Sequence, residues 1–106
     1  MEELWFGALS LMAVASTRIT RDGLPVGWLR RDVPCNERDS GWQLFAGDET
    51  QDYLDHPDHI DLVPLRDVLQ IDPGVEAVLR SPAPCGFERD GDGWRDITAE
   101  IPADLN

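Results

Sequence analysis

Positive charge is scarce in this chain of 106 residues. It has no lysine, and nine arginines face 21 acids, for a formal net charge of -12 at pH 7. Nucleic acid and anionic membrane surfaces both need a cationic patch, so the balance argues against either as a ligand. Net charge bears on partners and solubility and leaves the fold open. Cysteine is also sparse. Cys35 and Cys85 stand far apart, each after a proline, which is no disulfide scaffold. Two separate thiols in a reducing cytosol are expected. No apolar run approaches the roughly 20 residues that span a bilayer. The most apolar stretch, Leu4 to Ala15, begins behind Glu2 and Glu3, where a secretory signal wants positive charge. Ala13-Val14-Ala15 is therefore not read as a cleavage site, and a cytoplasmic protein is expected. Repeats, low-complexity tracts and linkers are missing too, so the length fits one domain with one core, burying roughly 60–70% of its unfolded surface.

The usual signatures of catalysis are missing as well. There is no Gly-x-Ser-x-Gly elbow, no suggested Cys-His pairing and no glycine-rich phosphate loop. Carboxylates are many, but no pair is singled out for acid–base work, so no enzyme activity is expected. Histidine occurs at His56 and His59, among Asp55, Asp58 and Asp61. On a helix this spacing would put both rings on one side, but Pro57 interrupts it and a closed zinc site needs four ligands. A solvated acidic loop is the simpler reading. Asp90-Gly91-Asp92-Gly93 resembles part of a calcium loop, but position 99, six residues after the glycine, is Ala where that loop needs its Glu; it reads as a hairpin turn. Neither metal nor cofactor is expected.

What is present is a pattern of short strands and turns. Leu11 to Thr20 carries Val14, Thr17, Ile19 and Thr20 and reads as a first strand, closed by a turn at Arg21-Asp22-Gly23. Leu24 to Arg31 reads as a second, followed by a polar loop through Pro34 and Cys35. A turn of Asp39, Ser40 and Gly41 opens onto a third strand, Trp42 to Ala46, with Trp42 and Leu44 on one face and Gln43 and Phe45 on the other. Ile60 to Val63 reads as a fourth. Pro64 suits a helix's first position, and Leu65, Val68 and Leu69 follow at helical spacing. Asp72 caps a second start at Pro73, with Val75, Val78 and Leu79 as its stripe. Cys85 to Arg89 and Trp94 to Thr98 flank the hairpin turn. The sum is an α+β fold, an antiparallel sheet of five or six strands with one or two short helices on one face. Trp5, Trp28, Trp42 and Trp94 are expected to supply much of the core. Residues 1–11 read as an extension whose Trp5 and Phe6 pack on the domain, 12–99 as the domain and 100–106 as a tail.

Between Asp48 and Asp61 stand six carboxylates, Asp48, Glu49, Asp52, Asp55, Asp58 and Asp61, and no arginine. A charge run of this kind often just stays wet. Read functionally, it is a docking surface for a basic protein, where complementary charge speeds encounter and a few anchors carry affinity. Asp48, Glu49, Asp52, Tyr53, Asp55 and Asp58 are the candidate partner-binding residues. Tyr53 is the natural anchor, and Trp42 is expected to hold the loop from beneath.

The same region carries a resemblance. Asn36-Glu37, Asp39-Ser40-Gly41-Trp42, Gly47-Asp48-Glu49 and Tyr53 are similar to the signature of the DUF2185 family, immunity proteins of the Imm33 type in bacterial polymorphic toxin systems. Val14-Ala15-Ser16 and Gly23 to Trp28 upstream, with Ile71-Asp72-Pro73, Ser81-Pro82 and Phe87-Glu88-Arg89 downstream, extend the match over roughly residues 12–97. The resemblance places Met12 to Thr20 in the first strand and assigns Asp39, Ser40, Gly41, Trp42 and Gly47 to the structural motif. It implies a protein that binds and blocks a cognate toxin without chemistry, and the charge points to a cationic one. The alternative is a small-molecule-binding or accessory module with Trp28, Trp42 and Trp94 lining an aromatic pocket. Oligomeric state is left open.

Overall fold

The computed structural model describes residues 7–100. Six strands, β1 (Met12–Ser16), β2 (Trp28–Arg31), β3 (Asp39–Phe45), β4 (Ile60–Pro64), β5 (Cys85–Asp90) and β6 (Gly93–Asp96), form one sheet in the order β4-β1-β3-β2-β5-β6. Every neighbouring pair is antiparallel except β1 with β3, which run parallel inside the sheet. This is the expected α+β architecture, with that one parallel pair added. Asp22-Gly23 therefore does not join a β1–β2 hairpin. It closes a helix, α1 (Thr17–Thr20), where Gly23 at φ +75° donates its N–H to the Ile19 carbonyl at 3.1 Å.

That helix corrects the long first strand predicted to Thr20. Threonine and isoleucine favour strands, but Ser16 Oγ accepts the Arg18 N–H at 3.1 Å and caps the turn, while Ile19 is fully buried. Capping and packing together outweigh a weak intrinsic propensity. The second strand is likewise shorter than predicted, since 24–27 is irregular. The third strand starts earlier than predicted, at Asp39, and the last ends earlier, at Asp96; other boundaries agree closely. Asp72 accepts the Gly74 N–H, and Pro73–Val75 leads into a helical turn at Glu76–Leu79. Asp90 and Gly93 flank a tight turn in which Gly91 takes φ +60°. Pro64 ends β4, one position later than predicted, and is the N-cap of the helix Leu65–Ile71 where it was expected at the first helical position.

Alternation sorts the sheet into two unlike faces. On one, Ala13, Ala15, Leu29, Trp42 and Leu44 pack with Leu65, Val68, Val75, Val78 and Leu79 from the helical segments. The other side chains of the same strands, Val14, Trp28, Arg30, Gln43 and Phe45, are only partly buried. The helical layer therefore covers the Trp42 and Leu44 face of β3 and leaves the Gln43 and Phe45 face partly open. Of the tryptophans, Trp42 is in the core, and Trp28 and Trp94 are half-buried. Trp5 and Phe6 lie outside the described residues, as does the predicted tail beyond Glu100. Among the described residues no helix is long and apolar enough to cross a membrane.

Candidate functional site

The motif around Trp42 is structural, and it lies inside β3 where a preceding turn was expected. Between Met12 and Val14 of β1 the register on β3 jumps from Asp39 to Gln43, so Ser40, Gly41 and Trp42 bulge out of the parallel ladder. Each residue has a part in holding that bulge. Asp39 accepts the Cys35 and Gly41 N–H groups, both at 2.9 Å. Buried Ser40 accepts the Trp42 N–H at 3.1 Å. Gly41 takes φ +85°, the left-handed region that suits glycine. Trp42 Nε1 donates to the Leu79 carbonyl at 3.3 Å, and the Arg31 guanidinium lies 5.7 Å from its ring centre. Trp42 thus anchors the helical layer and does not hold the acidic loop from beneath.

Asp39 also links this motif to pH. Its N–H donors stabilise the carboxylate and hold its pKa below the usual range. A folded-state value below the unfolded one means the unfolded chain takes up the proton first as pH falls. The stabilisation is complete above the unfolded carboxylate value of about 3.9 and is lost as pH drops through the folded value. Asp48, Asp61 and Asp96 are lowered in the same sense by Arg18, Thr20 and Thr98 respectively. Denaturant midpoints should therefore fall with acidification below about pH 4. Asp39→Asn should cost about 1–2 kcal/mol at pH 7 and flatten that acid-side slope; an unaltered slope would refute the role given to Asp39.

The acidic segment following Gly47 divides into two sets. Three of its carboxylates are turned to the chain's own use. Arg18 donates to Asp48 at 2.6 Å and also pairs with Asp22. Glu49 accepts the Ala46 and Gly47 N–H groups at 2.8 and 2.9 Å, fixing the turn where Gly47 takes φ +103°. Burial pushes the Glu49 pKa up, but the Ser16 hydroxyl and these N–H groups bring it below the ordinary value. Asp61 binds Thr20 Oγ1 at 2.6 Å and Arg21 at 3.3 Å. The edge is thus partly compensated although the segment itself holds no arginine, because Arg18 of α1 and Arg21 just after it fold back on it.

Asp52, Asp55 and Asp58 form the second set. All three are exposed, and among the described residues none is ion-paired to an arginine. They sit on α2 (Gln51–Leu54), the residue after it, and the turn Pro57–His59. Thr50 Oγ1 caps α2 by accepting the Tyr53 N–H at 3.1 Å. Tyr53 faces inward: its hydroxyl bonds Thr17, its ring stacks on His59 at 3.9 Å, and its carbonyl meets His59 Nδ1 at 2.7 Å. His56 and His59 lie 5.2 Å apart, edge to face. Tyr53 and His59 therefore brace the loop that presents the three aspartates, which weighs against Tyr53 as a free anchor.

Two clefts lie on the sheet face away from the helices, meeting at Gln43. One, of about 840 Å³, has Trp28 and Phe45 as its aromatic floor and Asp48, Glu49 and Leu54 as a wall, so the acidic segment borders it. The two rings are 5.5 Å apart. The other, of about 940 Å³, is lined by Met12, Val14, Val33 and Leu62, with Asp32 and Glu37 at its rim. Val33 and Leu62 are 71% and 65% exposed, by far the most exposed large apolar side chains among the described residues. Sequence reasoning missed this second cleft. Val33, isolated between Asp32 and Pro34 in a polar loop, was the available signal. Trp28, Trp42 and Trp94 do not share a pocket. Trp28 is on the open face and Trp42 under the helices, while Trp94 stacks beneath Arg89 at 4.2 Å on the hairpin. Cys35 is exposed and Cys85 buried, both as free thiols.

The family model of the Immunity protein Imm33 domain matches residues 13–98. No curated protein and no solved structure matches the chain.

Proposed function

The chain belongs to the Imm33 immunity-protein family, and from that premise we propose that it neutralises a cationic cognate toxin by docking through its acidic surface, without chemistry of its own. The observation that carries this reading is the exposed trio Asp52, Asp55 and Asp58, without arginine partners among the described residues and on a loop braced from within. Burying unneutralised carboxylates against a neutral partner would be costly, whereas a basic surface compensates them. Asp48 and Glu49 border the cleft beside the trio. They contribute to the field but are already held by Arg18 and by backbone N–H groups. Tyr53 acts here as a brace for the docking loop.

The charge trial follows from that division. Reversing Asp48 or Glu49 would also undo a turn, so the informative variant is Asp52→Lys, Asp55→Lys and Asp58→Lys together. Association with the cognate toxin domain should slow by about 10–100-fold at low salt, and the difference should shrink as salt rises. Stopped-flow binding across a salt series reads this directly. Equal association rates for variant and parent at low salt would remove the trio from the interface.

A further inference from the structure

We infer that the docking loop is graded by pH: His56 and His59 cancel part of its charge on acidification while leaving its shape intact, so contact with a cationic partner weakens as pH falls from 8 to 5.5. The inference rests on the immunity reading and deepens it by giving the docking site a regulator. The chain has two histidines in 106 residues, and both stand among Asp52, Asp55 and Asp58. Histidine is the side chain whose charge ordinarily changes between pH 5 and 8. Both thiols are pushed above their ordinary value, Cys35 chiefly by Asp39 and Cys85 by burial, and stay protonated over that range. Titration near neutral pH is thus concentrated on the surface that would meet the toxin.

Geometry lets the charge change without the shape. A carbonyl oxygen only accepts, so the 2.7 Å contact between His59 Nδ1 and the Tyr53 carbonyl makes Nδ1 the donor. That N–H exists in the neutral ring and in the cation alike, and the added proton goes to Nε2. Tyr53 stacks on the His59 ring, 16° from parallel, and an aromatic face also accommodates a cation. His56 is exposed and meets His59 edge to face. Surrounding charges do not undo the change. α2 supplies Asp52, the residue after it is Asp55, which accepts from Gln51 at 2.8 Å, and the turn adds Asp58. On β4, Asp61 is held below the usual carboxylate range by Thr20, with Arg21 beside it. Asp48 is held low by Arg18, which also pairs with Asp22. Those pairs keep their charges down to pH 5.5. Two imidazolium charges would therefore cancel two of the trio's three. Each exposed charge pair contributes little on its own, so the device grades the contact and does not switch it off.

The probe for the test is a hexa-arginine peptide, whose own charge does not change in this range. At low salt, amide shifts of residues 51–59 should report peptide binding about three- to tenfold weaker at pH 5.5 than at pH 8. The variant His56→Gln with His59→Asn cannot ionise at these positions, and the Asn amide can still donate toward the Tyr53 carbonyl. It should bind the peptide as the parent does at pH 8 and lose the pH dependence. In the parent, cross-relaxation between the Tyr53 and His59 rings should persist at pH 5.5. Flat binding by the parent overturns the inference, and so does an equal fall in the variant. Weaker binding by the variant already at pH 8, or loss of the ring contact in the acidified parent, also overturns it, because the histidines would then act through the loop's shape. Association with the cognate toxin domain should show the same difference between parent and variant. A toxin domain that does not bind the parent at either pH overturns the immunity reading beneath, and the peptide titration keeps that failure separately visible.

Discussion

Replacing Trp42 with alanine is expected to remove about 3–5 kcal/mol of stability, out of a total margin that is typically only about 5–15 kcal/mol for a domain. Two losses combine. The indole is 1% exposed in the layer between sheet and helices, so truncation leaves a cavity that the short helical segments above it cannot fully fill. The Leu79 carbonyl also loses its donor, and a buried acceptor without a partner adds its own penalty. Trp42→Phe separates the two, keeping most of the ring volume while removing the N–H, and should cost roughly 1–3 kcal/mol. Urea titration by far-ultraviolet circular dichroism measures both. A loss below about 1 kcal/mol for the alanine variant would show that the helical layer does not depend on this ring.

Gly41→Ala should be nearly as damaging for a different reason. A Cβ built on Gly41 would lie 2.0 Å from the Asp32 carbonyl oxygen and 3.1 Å from its carbon, both backbone atoms. Its φ of +85° is unfavourable for any L side chain. The same strand junction contains the Asp32 N–H donating to the Gly41 carbonyl at 2.9 Å, which would be strained as the strands part. Left-handed strain of about 1–2 kcal/mol and overpacking of about 1–3 kcal/mol give an expected loss of about 2–5 kcal/mol. Gly91→Ala is the matched control. At φ +60° with nothing within 4 Å of an added Cβ, it should lose only the conformational part, about 1–2 kcal/mol. Equal losses at the two positions would refute the close approach of β3 to the Asp32 backbone.

These two residues also show where the sequence speaks and where it falls silent. Local chemistry was legible throughout the second half of the chain. The Asp72-Pro73 cap, the stripe Leu65, Val68 and Leu69, and the hairpin around Gly91 each rest on residues within a few positions of one another. The importance of Gly41 and Trp42 was also legible, but not the bulge they form, because a bulge is defined against a partner strand 27 residues away, Met12 opposite Asp39. The parallel pairing of β1 with β3 leaves no turn signal between them to read. The same distance hid the fate of the acidic run. Its arginine partners, Arg18 and Arg21, lie 30 and 40 residues upstream of Asp48 and Asp61. The groove of Val33 and Leu62 escaped notice because a strand's apolar residues look alike in sequence whether a helix covers them or water does.

The position of β1 between β3 and β4 has a consequence for how the molecule is born. Met12–Ser16 leaves the ribosome before either neighbour exists, and its second ladder closes only when Pro64 has been made. The hairpin of β5 and β6, by contrast, joins residues adjacent in the chain and can zip at once. Non-local pairing of this kind is slow, with domains dominated by it folding in roughly milliseconds to seconds. The β3-β1-β4 ribbon should thus be the late event in refolding, and hydrogen exchange pulsed at early times should find Ala13 and Ala15 still labelled after the β5–β6 hairpin has become protected.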